Sequence, residues 1–211
     1  MIICDTHCDT LYMRALQPNK TPCVTMDAMK KGGMSLQTCT LYAGNQGMAG
    51  HPYDKAMAEY HAFEHLRDAE GWERVNSPLE AEDGKVKILL SVEGGEIFEG
   101  KVERVHEFYG YGVRMAALTW NNENEIGHSA KSGSKEGIKP RGWEILRAMG
   151  GLKMAADTSH LNEAGFLGFV GKDSHPPRAP PLWAPSPCRE FRQHTDESIR
   201  TLVSCGGEVA V

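Results

Sequence analysis

Four times in this chain an apolar run of strand length gives way to a stretch of helical periodicity, and no other feature limits the fold as much. Residues 1–7, Met34 to Tyr42 (MSLQTCTLY), Lys85 to Val92 (KVKILLSV), Val113 to Trp120 (VRMAALTW) and Leu152 to Ala156 read as strands. Thr25 is placed to cap a short helix through Lys31. Tyr53 to Gly71 carries Met57, Tyr60, Phe63 and Leu66 at near-helical spacing before a glycine stop. Lys101 to Tyr109 and Arg141 to Met149 are the next helices, the second broken by Gly150-Gly151. A connection that holds a helix returns the chain to start a parallel strand, which a hairpin turn cannot do. The expectation is an α/β fold, a barrel or a doubly wound sheet, in a single domain over residues 1–211.

In such folds chemistry gathers at the carboxyl ends of the strands. The first, third and fifth predicted strands run into DTHCDT, VEGG and DTSH, which brings His7, Asp9, Glu93 and His160 to one mouth from distant parts of the sequence. If the first strand keeps its alternation, Asp5, His7 and Asp9 share a face and Thr6 and Cys8 point the other way, so His7 and Asp9 form a ready chelate. Imidazole nitrogens mixed with carboxylate oxygens suit a divalent ion, zinc before others. Glu93, with two carboxylate oxygens, can bridge two ions held roughly 3.5–4 Å apart, a pairing that deprotonates water at neutral pH. Singly, His160 could cap a turn, Glu93 could be an exposed charge and Asp157 could satisfy backbone amides. Their coincidence at three strand ends is what points to a metal.

Composition removes other classes. The net charge of −5, with Lys and Arg scattered, leaves no basic stripe for nucleic acid and no polybasic patch for a membrane surface. The apolar segments are shorter than a membrane span, and Met1 leads straight into the first strand without a charged leader, so a soluble cytoplasmic chain is expected. Six cysteines (Cys4, Cys8, Cys23, Cys39, Cys188 and Cys205) form no C-x-x-C pair and read as reduced thiols. His61 to His65 matches H-x-x-E-H, but among Glu, Arg and Asp it reads first as a solvated helix face. There is no G-x-S-x-G elbow, P-loop or dinucleotide fingerprint. The long polar stretch after Trp120 is a candidate lid or binding loop. Six of the eleven prolines lie between Pro176 and Pro187, where neither helix nor inner strand is expected. Thr195 then caps a predicted helix through Val203, and Glu208 to Val211 begins a strand.

DTHCDT, GGMSLQTCTLY, LLSVEGGE, YGVRMAALTWNNEN, MAADTSHLNEAGF and TDESIRTLVSCGG, in that order, resemble the membrane dipeptidase (renal dipeptidase) family of the amidohydrolase superfamily. The resemblance runs from residue 1 to about 166 and resumes near 195. It implies a metal-dependent (β/α)₈ barrel of the TIM type that hydrolyses dipeptides with two zinc ions bridged by a glutamate and a water. It implies His7 and Asp9 as ligands of one ion, Glu93 as the catalytic bridge and His160 as a ligand of the other ion. Trp120 stands where renal-type members place a substrate-contacting histidine, and is read as a wall of the substrate pocket. The resemblance also calls for a later strand ending in S-H-S, where this chain has KDSHPPRAPP with His175 and Arg178, and for a catalytic aspartate on a last strand past Val211. From this follow expectations of an incomplete barrel of about six strands, weakened metal binding, low activity, and self-association through exposed sheet edges. Another amidohydrolase-type deacylase or lactonase, or a non-catalytic metal-binding remnant, are the alternatives. The Pro-rich stretch between family-like segments is expected to be an out-of-frame reading from about Leu167 to Gln193. Translation of the source DNA in its other frames is then expected to produce an S-H-S-like segment, and finding none refutes the frame change.

Overall fold

Parallel pairing begins at the start of the chain. The short strand β1 (Cys4–Asp5) lies beside β2 (Leu36–Tyr42), with Cys4 opposite Leu36 and Asp5 opposite Gln37. The structure is a computed structural model that describes residues 1–42, 50–171, 182–183, 196–204 and 209–210. His175, Arg178, the prolines of 176–187, Cys188, Thr195 and Cys205 lie outside the described residues. The chain divides into two compact units, Met1–Val92 with Gly110–Arg114, and Glu93–Tyr109 with Met115–Val211.

In the first unit β1 leads into α1 (Thr10–Leu16) and α2 (Met26–Lys31), and β2 into the long α3 (Pro52–Glu70). Then come β3 (Glu73–Arg74) and β4 (Lys87–Glu93), whose residues through Val92 belong here. The strand order is β1-β2-β4, with β3 paired to β4. All seven residues of β2 and six of the seven in β4 are buried, the pattern of strands covered on both faces. The helix limits have local causes. Thr25 accepts a hydrogen bond from the Ala28 amide at 3.2 Å, with Asp27 in the first turn of α2 and Lys30 and Lys31 in the last. α3 opens on Pro52 and closes on Gly71 at φ +71°, a left-handed position that glycine takes at no steric cost. Its buried face carries Ala56, Glu59, Phe63 and Leu66, and it packs with α1 and β2.

The second unit holds α4 (Val102–Gly110, through Tyr109), the last three residues of β5 (Val113–Ala117), α5 (Pro140–Gly151), β6 (Ala155–Asp157) and α6 (Glu163–Val170). It ends in β7 (Leu182–Trp183), α7 (Asp196–Ser204) and β8 (Val209–Ala210), with β7 parallel to β8. β5 and β6 are parallel, Met115 opposite Ala155 and Ala117 opposite Asp157. Ile97, Phe98, Phe108, Ile126, Ile145 and Phe166 fill its core, Phe98 and Phe108 edge to face at 6.0 Å. Among the described residues no helix is long and apolar enough to cross a membrane.

Several boundaries differ from the sequence reading. The first strand stops at Asp5 rather than residue 7, because the chain turns there and the Asp5 carboxylate accepts the His7 amide at 3.0 Å. His7 and Asp9 are therefore brought together by a turn and not by strand alternation. β5 ends at Ala117, which puts Trp120 in the loop beyond it. β6 begins at Ala155 rather than Leu152 and carries on to Asp157. α5 continues through Gly150 and Gly151, and α1, β3, α6 and β7, the last within the Pro-rich stretch, were not anticipated at all. Phe63 is fully buried and Leu79 is 93% exposed. Phe63→Ala is expected to cost about 3–5 kcal/mol in urea unfolding, and Leu79→Ala to stay within about 0.5 kcal/mol.

Candidate metal centre

In the first unit the segment between β1 and α1 holds two ligand-type side chains. Asp9 is the residue before α1, but its carboxylate makes no capping hydrogen bond to the helix. Its Oδ1 instead lies 3.4 Å from Nε2 of His7, with both side chains partly open to solvent. An aspartate at this position ordinarily caps, so one turned away toward an imidazole is free for other work. The backbone holds the pair: the Cys8 carbonyl accepts the Thr40 amide at 3.0 Å, and the Asp9 carbonyl accepts the Met13 amide at 3.1 Å.

In the second unit Oε1 of Glu93 lies 3.0 Å from Nε2 of His160, and both side chains are largely buried. Glu93 is followed by Gly94 at φ +99° and by Gly95, where a Cβ would stand 2.6 Å from the Leu118 carbonyl oxygen. Only glycine permits that approach. His160 leaves β6 through a turn in which the Asp157 carboxylate accepts the Ser159 amide at 2.8 Å and the Ser159 hydroxyl. Burial pushes the Asp157 carboxyl above the usual carboxylate range, against the pull of the Ser159 hydrogen bonds, and burial does the same to Glu96. The Trp120 indole is 6.0 Å from the His160 ring, tilted by 40°.

The polar stretch after Trp120 is tied down. Asn124 accepts from the Ile126 and Gly127 amides and donates to the Leu118 carbonyl and to Glu96. Ser129 bridges Leu161 in antiparallel register, and the Ala130 amide donates to the His160 carbonyl at 2.8 Å. His128 is buried between Glu123, 2.9 Å from Nδ1, and Glu136. Asn162 caps α6 through the Gly165 amide and donates to the carbonyls of Ser134 and Glu136. Sequence reasoning passed over Asn124, His128 and Asn162, although an Asn three residues before Gly165 at the head of EAGF is a recognisable cap signal. His61 and His65, the H-x-x-E-H pair, lie exposed on α3.

The donor atoms fit a divalent ion. Nitrogen and oxygen ligands held near 2.0–2.2 Å in a tetrahedral array stand about 3.3 Å from one another. His7 and Asp9 at 3.4 Å, and Glu93 and His160 at 3.0 Å, each approximate one edge of such an array. The set is imidazole and carboxylate without thiolate, the mixture catalytic zinc sites use.

Over residues 1–211 the sequence matches the family described as membrane dipeptidase (Peptidase family M19). An uncharacterized protein in the pqqA 5′ region of Klebsiella pneumoniae is 29% identical over 136 residues, 62% of this chain and 50% of that protein. An uncharacterized dipeptidase of Schizosaccharomyces pombe is 32% identical over 77 residues, 36% of this chain and 19% of the yeast protein. A solved metallo peptidase from Rhodobacter sphaeroides, liganded with a phosphinate mimic of the dipeptide L-Ala-D-Ala, superposes with a TM-score of 0.84 at 18% identity. That match covers 100% of this chain and 73% of the other. The chain thus spans half the length of the Klebsiella relative, or less for the yeast one. The structural likeness is one of fold: the parallel α/β sheet here matches part of a TIM-type barrel, which decides against the doubly wound alternative.

A carboxyl raised in the folded state stabilises the fold fully below its unfolded value, near pH 3.9 for Asp, and loses that contribution as pH rises through the folded value. Asp157→Asn keeps an oxygen that accepts from Ser159 and has no charge to bury. With chelator present, its unfolding free energy relative to the native protein is expected to rise between about pH 4 and pH 7. Urea titrations at both ends of that range measure the change, and a flat difference removes the cost assigned to Asp157.

Proposed function

This chain belongs to the membrane dipeptidase family, and from that premise we propose that it serves the hydrolysis of dipeptides at a site built around divalent metal. The observation that carries the reading is the approach of Glu93 and His160 to 3.0 Å from two separate strand ends. In this reading His7 and Asp9 would be ligands of one zinc ion and His160 of a second, with Glu93 in the role of bridging carboxylate that the family resemblance implies. When bound, such ions polarise the scissile carbonyl and activate water.

The protein's own part is positional. Asp9 keeps its carboxylate off the helix end and available beside His7. Gly94 and Gly95 allow the chain to turn sharply behind Glu93, so the carboxylate sits at the strand end with little freedom. The Ala130 amide steadies the main chain of His160 through its carbonyl. Trp120 lines the substrate pocket next to His160, its ring offering an apolar surface to a small side chain and excluding water from the reacting bond. The ligand of the Rhodobacter metallo peptidase makes L-Ala-D-Ala the first dipeptide to try.

His160→Ala and Glu93→Gln are expected to lower zinc content after dialysis and to reduce L-Ala-D-Ala hydrolysis by about 100-fold or more. Elemental analysis and amine release measure the two effects. Native zinc content and turnover in both variants would overturn the reading.

A further inference from the structure

Two buried hydroxyls stand where the inside of a sheet calls for hydrocarbon. Thr40, near the end of β2, is 1% exposed, and Ser91, near the end of β4, is 2% exposed. Their hydroxyl oxygens are 2.9 Å apart. Valine at 40 and alanine at 91 would suit a buried strand at least as well, so packing alone does not explain the pair. Thr40 has a second neighbour: its Oγ1 lies 3.4 Å from Nδ1 of His7, on the side of the ring away from Asp9. Its backbone amide holds the carbonyl of Cys8, the residue after His7.

The proton count limits what this arrangement can do. A neutral imidazole carries one proton, and it ligates a metal through the nitrogen that lacks it. If Nδ1 bears the proton, it donates to Thr40 Oγ1, and the Thr40 hydroxyl donates its own hydrogen bond to Ser91 Oγ. If Nδ1 is bare, Thr40 donates to it and the ring proton sits on Nε2, facing Asp9. That second state blocks the very nitrogen that points toward the other ligand. We infer that Thr40 and Ser91 are positioning residues that hold His7 with its proton on Nδ1 and leave Nε2 bare for the ion. The inference rests on the reading of His7 as a metal ligand. Thr40 is the direct acceptor, and Ser91 orients the Thr40 hydroxyl so that its lone pair faces the ring.

Zinc titration of the metal-stripped full chain against a chromogenic chelator tests it. Thr40→Val keeps shape and removes the acceptor, and it is expected to weaken binding of one zinc ion by about 10–100-fold. Thr40→Ser is expected to restore most of that loss, and Ser91→Ala to lose several-fold. In the zinc-loaded protein the His7 Nδ1–H proton resonance is expected to be visible in the native chain and in Thr40→Ser, and to be lost to exchange in Thr40→Val. His7→Ala separates the two layers of the argument. If it weakens zinc binding while Thr40→Val binds zinc as the native chain does, the inference falls and the ligand reading stands. If His7→Ala leaves binding unchanged, the ligand reading falls first. Should Thr40→Val not fold, Ser91→Ala decides alone: native affinity overturns the inference, and a several-fold loss supports it.

Discussion

The first unit depends on the parallel pairing of a two-residue strand. β1 has too few residues to be stable by itself, so its neighbours fix it. The Ile3 carbonyl accepts the amides of Ser35 and Leu36, and the Cys8 carbonyl accepts that of Thr40, so contact with the β2 side begins before β1 and continues beyond it. α1, packed with α3 and β2, then anchors the chain that follows. His7 and Asp9 sit between these anchors. A pair of donors on such a short connection has little conformational freedom left, which is the preorganisation the proposed metal site needs.

The second unit reaches the same end by the same local device. β6 is three residues long, pairs with β5, and ends in Asp157. The Asp157 carboxylate accepts the amide of Ser159, two residues on, as the Asp5 carboxylate accepts the amide of His7. Both are turns in which an aspartate side chain replaces the next strand hydrogen bond and swings the chain out of the sheet. The similar segments DTH and DTSH thus share a physical role: an aspartate ends the strand and a histidine is delivered just past it. At Asp157 the device carries a cost, since burial raises that carboxyl.

The alternation of strand-like and amphipathic runs was legible because β2 and the interior of β4, buried on both faces, carry no charged side chain, although Gln37, Thr38, Thr40 and Ser91 interrupt their apolar residues. His7, Asp9, Glu93 and His160 were legible as strand-end residues for the same reason. Where the strands stop was not, because a two-residue period carries no signal for its own end and the Asp5 turn overrides it. α1 hides in TLYMRAL, seven residues whose helicity comes from packing on α3 and β2 more than from a repeated pattern. Gly150 and Gly151 read as a break, yet the last turn of α5 tolerates them. Thr40 and Ser91 were out of reach, since their meeting depends on how β2 and β4 lie side by side, which propensity does not encode.

Cys8 shows how alternation chooses the chemistry of the site. It lies between His7 and Asp9 in sequence, and a thiolate there would be a stronger zinc ligand than either. Its sulfur, however, is buried 3.6 Å from that of Cys39, while Thr40, the next residue of β2, lies against His7. Successive side chains of a strand point to opposite faces, so Cys39 and Thr40 sort their two partners to opposite sides. The hydrogen bond with Cys8 and full burial together push the Cys39 thiol well up, while the same hydrogen bond lowers Cys8, so it is the direction of the Cys8 side chain toward Cys39 that keeps its sulfur away from His7 and Asp9. An open catalytic ion needs ligands that leave it electron-poor enough to polarise a carbonyl, and imidazole with carboxylate does this better than sulfur. The face on which each side chain falls therefore decides whether imidazole or thiol stands beside Asp9, and β2 sets the face.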